Sequence, residues 1–193
     1  IAVVVVLLAG GSVAVARSLL TGPDCVVTAA DGTPAVELSR PEAEAVTTAA
    51  APEVRRGRSV RDAVRRAAPD LSATQVRVVA GAVSGDRHAA LSCRDGGASS
   101  SGSAGLDSNG LTARAERVRA DVLARFGDLP LGGFAPGGVH NGHMPGSAHY
   151  EGRAIDVFVR PISDENKKRG WALASYLVAN ADRLDVKTVI FDD

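Results

Sequence analysis

The segment "HNGHMPGSAHYEGRAIDVFVR", residues 140–160, gathers three of the chain's 4 histidines within ten residues and ends on an aspartate in an apolar run. Asp156 is flanked by Ala154, Ile155, Val157, Phe158 and Val159, a pattern that predicts a buried strand. A lone carboxylate there costs several kcal/mol unless something compensates it. Two compensations fit the residues at hand. One is a metal ion: imidazole nitrogen and carboxylate oxygen are zinc ligands, and His149 in the approach loop can converge with Asp156 on one ion. The other is structural: Asp156 pairs with Arg153 or a loop amide, and His149 merely packs. Gly152 allows a tight turn between the two, and Ala154 leaves room beside them. His140 and His143 are further candidate ligands, or else residues of a substrate cleft or the surface. Arg114, Arg119 or Arg153 could hold a peptide carboxylate through a bidentate contact, or serve in surface ion pairs.

These residues need a scaffold, which the flanking sequence predicts as α+β. Thr112 can cap a helix whose positions 115, 118, 122 and 126 share an apolar face, with Gly127 ending it. A Gly- and Pro-rich loop follows, then the strand at 154–160, ended by Pro161. Ser163 can cap a long helix over 164–184 with Trp171, Ala174, Leu177 and Val178 facing inward. A second strand over 186–193 closes the sequence.

Upstream, the signals are mainly helical. "CVVTAADGTPAVEL" predicts a hairpin turning at Asp31-Gly32. Ser39-Arg40-Pro41-Glu42 is a capping box opening a helix to about Ala50. Ser59 can cap a short helix that Pro69 stops, and Ser72 with Gln75 forms a second capping box. No catalytic constellation occurs in this region, and His88 reads as a surface residue. Residues 95–110, rich in Gly and Ser, predict a flexible linker. The expected division is therefore a small, mostly helical domain at 25–94, a linker at 95–110 and an α+β domain at 111–193.

Residues 1–16 are uncharged and almost wholly apolar. They predict export, either through an uncleaved transmembrane anchor spanning about residues 1–20 or through a signal peptide cleaved near Ala14-Val15-Ala16. Location at the cell membrane, single-pass with an extracytoplasmic domain, or secretion follows. In an oxidising compartment Cys25 and Cys93 form a disulfide; two buried thiols are the alternative. Lys+Arg and Asp+Glu both number 22, which offers no bulk charge for nucleic acid.

Ser147-x-His149-x-x-Gly152-x-Ala154-x-Asp156 resembles the S-x-H-x-x-G-x-A-x-D signature of D-alanyl-D-alanine carboxypeptidase-type zinc peptidases. That group shares its fold with the Hedgehog signalling domain and lysostaphin-like wall peptidases. All five fixed positions match in order, and the resemblance covers about residues 111–193. It implies that His149 and Asp156 are zinc ligands, that Ser147 and Gly152 support the site, and that the substrate is a peptide of peptidoglycan. The two-part layout also resembles secreted or membrane-anchored actinobacterial proteins with such a C-terminal domain. In the peptidase group a third ligand, a His in a later strand, and a nearby base complete the site, but no histidine follows Asp156 here. The sequence starts without Met and stops after "VIFDD", which favours truncation before that strand over an incomplete, inactive relative. A non-catalytic extracellular binding module on the same fold is the alternative to a peptidase.

Overall fold

The computed structural model describes residues 23–31, 33–86, 88–94, 105–135 and 141–191. The fold is α+β, with helices packed around a small three-stranded sheet and a two-stranded ribbon. Strand β1 (Cys25–Ala29) pairs antiparallel with β2 (Val36–Leu38), as the hairpin pattern predicts, in the register Cys25↔Leu38 and Val27↔Val36. Alternation puts Cys25, Val27, Val36 and Leu38 on one buried face. On its other edge β1 pairs with β3 (Ala89–Cys93), a strand the sequence pattern does not announce. Cys25 and Cys93 stand opposite each other in that register and are joined by a disulfide.

Three helices follow; the third lies against this sheet, and the first two pack on that helix. Helix α1 (Arg40–Arg55) opens with the Ser39/Glu42 capping box and runs past the expected end near Ala50, through Pro52. The proline removes one N–H from the ladder. Burial of Ala51 and half-burial of Val54 offset that loss. Helix α2 (Arg61–Ala67) starts one residue later than the Ser59 reading: Val60 is the cap, while Ser59 Oγ accepts the Arg61 N–H. Helix α3 (Ala73–Val83) carries the second capping box, Ser72 with Gln75.

Helix α4 (Ala113–Phe126) is capped by Thr112 and buries Ala115, Val122 and Phe126, as its spacing predicts. The long C-terminal helix is instead two: α5 (Asp164–Ala179) and α6 (Ala181–Leu184), separated at Asn180. The buried face of α5 is Ala172, Leu173, Tyr176 and Ala179, rotated from the expected one. Trp171 stays 37% exposed, its ring edge-on to Phe191. Tyr176 dictates this rotation, since its ring enters the core against Phe126 while its hydroxyl reaches Asp121. Residues 186–191 form no strand; Val186 is half-buried and Ile190 is exposed.

Two apolar clusters form the core. Val27, Val46, Val64, Val79 and Leu91 centre the first, and Val122, Phe126, Leu173 and Tyr176 the second. Ala179 of α5 belongs to the first cluster and Ala51 of α1 to the second. Helices α1 and α5 therefore pack across the boundary between the segments before and after the Gly/Ser stretch. Residues 95–104 lie outside the described residues. Residues 105–110 are held in place: Leu106 bridges Thr112, and Asp107 Oδ1 accepts the N–H groups of Asn109 and Leu111. No helix of the described residues is long and apolar enough to cross a membrane. Residues 1–20, on which the anchor or signal expectation falls, lie outside them.

Candidate metal centre

His149 sits in a 3-10 turn (Ala148–Glu151) that opens at Ser147, whose Oγ accepts the His149 N–H at 3.3 Å. The turn ends at Gly152 in the left-handed region (φ 63°). The Gly152 carbonyl accepts both the N–H and the hydroxyl of Thr112, fastening the turn to the start of α4. A Cβ at 152 would overlap the Gly110 carbonyl oxygen and come within 2.7 Å of Leu106. Ser147 and Gly152 thus set where His149 stands.

Asp156 opens β5 (Asp156–Val157), which pairs antiparallel with β4 (Leu131–Gly132). The strand expected over 154–160 is this short because its partner spans only Leu131–Gly132: Gly133, with a positive φ of 79°, follows it, and Pro130, which has no N–H for the ladder, precedes it. Phe158, expected to be buried, is exposed. The burial predicted for Asp156 is likewise absent: its side chain retains 41% exposure, against 14% for His149. Desolvation is therefore not what calls for a counter-charge at Asp156.

The demand comes from its neighbour. His149 Nδ1 lies 2.9 Å from the Gly133 carbonyl oxygen, which can only accept, so Nδ1 carries the proton. A neutral imidazole then presents a bare lone pair at Nε2, and Nε2 lies 3.4 Å from Asp156 Oδ1. Two acceptors facing each other need a proton or a cation between them. Two ligands of one tetrahedral zinc ion stand roughly 3.3–3.4 Å apart, given metal–ligand distances near 2.0–2.1 Å. A backbone carbonyl on the far nitrogen is also the usual support for a metal-bound imidazole. The donor set fits zinc. Arg153, the alternative partner, is taken up by Glu151 (Nε–Oε2 2.6 Å).

His143 joins the pair: one ligand atom from each of His143, His149 and Asp156 lies within 4.8 Å of the others. Its ring stacks on His149, centroids 4.0 Å apart and planes 3° from parallel. With its ring parallel to that of His149, His143 would join the same ion only after a ring rotation. As placed, it covers one face of His149. Tyr150 fixes it there, its hydroxyl accepting the His143 N–H and donating to the His143 carbonyl. His140 lies outside the described residues. Of the arginines considered for a peptide carboxylate, Arg119 is paired with Glu116 and Arg114 with Asp185.

Two residues of the site escaped the sequence pattern. Gly133 closes it from above: a Cβ there would overlap the His149 ring and lie 2.8 Å from Asp156 Oδ2. Tyr150 anchors the His143 loop. The signal for Gly133 was the pair Gly132-Gly133, which reads equally well as any loop.

Residues 107–193, a little under half of the chain, match the family model described as VldE, C-terminal domain. The match begins at Asp107, the residue whose carboxylate organises the turn leading into α4. No curated protein and no solved structure matches the chain.

Proposed function

We propose that the C-terminal segment is a zinc-binding module of the peptidase type, acting outside the cytoplasmic membrane on peptides of peptidoglycan. One observation carries this reading: Nε2 of His149 faces Asp156 Oδ1 at 3.4 Å, while the Gly133 carbonyl accepts from Nδ1 and leaves Nε2 to a ligand. The order Ser147, His149, Gly152, Ala154, Asp156 supports it, since the Ser and Gly shape the turn that carries the histidine. Zinc held there would supply Lewis-acid activation of a carbonyl and a bound water of pKa near about 7. The chain's own residues bind and orient. His149 and Asp156 would be the ligands, the Gly133 carbonyl fixes the imidazole, and His143 covers one ring face. Exposed Met144 and Phe158 offer an apolar rim to a substrate.

The parallel stacking of His143 favours a second reading, a non-catalytic extracellular module. In this conformation His149 and Asp156 would hold the ion, and His143 would cover one ring face.

Equilibrium dialysis of the full chain with zinc, followed by metal analysis, tests the site. About one equivalent should bind, and His149→Ala, Asp156→Ala and Asp156→Asn should each reduce it to background, because each ligand is useful only with the other. Full occupancy in Asp156→Asn would sink the proposal. Mass spectrometry of peptidoglycan peptides incubated with the zinc-loaded chain then separates the readings: cleavage means peptidase, intact peptides the binding module.

A further inference from the structure

A cavity of about 800 Å³ opens where the α1–α2 connection, α3 and the first turns of α5 meet. None of the candidate zinc ligands lines it. Its size lies within the roughly 300–1,000 Å³ of small-molecule sites. Six basic residues from several elements converge on it: Arg55, Arg58, Arg61, Arg77, Lys168 and Arg169. The chain as a whole has balanced charge, so this is local concentration rather than bulk bias.

The acidic residues in its wall, Asp31, Asp86 and Glu165, are fewer, and two are committed to local turns. Asp31 Oδ1 accepts the Thr33 N–H at 2.9 Å, and Asp86 Oδ1 the His88 N–H at 3.0 Å. Arg58 is paired with Glu53. Arg55, Arg61 and Lys168 form no ion pair among the described residues. Arg169 donates through Nη2 to the Phe126 carbonyl, while its buried Nε has no partner. Like charges crowded into one concavity repel one another. A bound oxyanion offsets the charge, and guanidinium forks match its geometry in pairs.

We propose that this cavity binds a small multivalent oxyanion carrying phosphate or carboxylate groups. The site is independent of the zinc reading, and the two stand or fall separately.

Calorimetric titration of the metal-free full chain at about 0.15 M salt, where exposed charges are screened beyond roughly 8 Å, tests it with pyrophosphate and citrate as probes. At least one should bind saturably at one site with a Kd below about 1 mM. Tighter binding of pyrophosphate identifies a phosphate ligand, and tighter binding of citrate a carboxylate. Arg61→Glu and Lys168→Glu, both at exposed positions and compatible with the fold, should each weaken binding about tenfold, a direct ionic contact being worth roughly that much. Arg65→Glu makes the same charge change on α2 outside the cavity and should alter binding less than about twofold. No saturable binding of either probe, or equal weakening by Arg65→Glu, overturns the proposal.

Discussion

The imidazole of His149 is fixed from three directions: a carbonyl on Nδ1, a stacked ring on one face and a carboxylate before Nε2. Gly133 is the tightest of these constraints, because its backbone approaches where no side chain fits. Gly133→Ala should therefore lose at least about tenfold in zinc affinity, the scale seen when supporting residues of a metal site are altered. It should also cost about 1–3 kcal/mol in urea denaturation, from a strained positive φ. His143→Ala should keep the zinc stoichiometry, because a parallel ring is not in line to bind the ion; loss of the metal in that variant would make His143 a ligand. Asp156→Asn in the metal-free chain should shift stability by less than about 0.5 kcal/mol, since the carboxylate is well exposed. That Ser147, His149, Gly152 and Asp156 stand close together was legible in the sequence, because they sit within one short turn and strand. Gly133 and His143 were not, or only as alternatives, because loop folding alone decides whether they reach His149.

A helix is legible in the sequence where a cap marks it, and its buried face is not where distant packing sets it. Ser39, Ser72 and Thr112 announce α1, α3 and α4 by local hydrogen bonds, which need nothing from the rest of the chain. The face of α5 depends on where Tyr176 finds a partner, and that partner, Asp121, is 55 residues away. Burial and the Asp121 carboxylate push the Tyr176 hydroxyl up to about 12. An unfolded tyrosine loses its proton near pH 10. Between those values the unfolded chain binds fewer protons than the folded one, so stability falls as pH rises from about 10 to about 12 and is flat just below that window as far as this group is concerned. Tyr176→Phe should remove that part of the alkaline loss in urea midpoints measured from pH 9 to 12. It should also cost about 1 kcal/mol at pH 7 for the lost hydrogen bond. An unchanged alkaline slope would assign the loss to other groups. The short strands were hidden for a similar reason: β3 exists because β1 offers an edge, and β5 is only as long as its partner, Leu131–Gly132.

At the scale of the molecule, the cysteine count was the readable part: the bridge joins residues 68 apart. Closing a loop of that length stabilises a chain by about 4 kcal/mol in the entropy model. The urea midpoint of the full chain should drop sharply with reductant, and Cys25→Ala with Cys93→Ala should reproduce the reduced value without responding to reductant. What composition could not reveal is how the segments either side of the Gly/Ser stretch meet. Ser175 donates to the Ala82 carbonyl, Asn180 to Thr47, and Ala179 sits among the valines of the first cluster. Helix α5 is thus a shared beam, although the bridge ties only the first segment to itself. A chain severed between Arg94 and Gly105 should accordingly elute as one particle, its two pieces parting only in denaturant. Expressed as separate polypeptides they should find each other, in the manner of a split reporter.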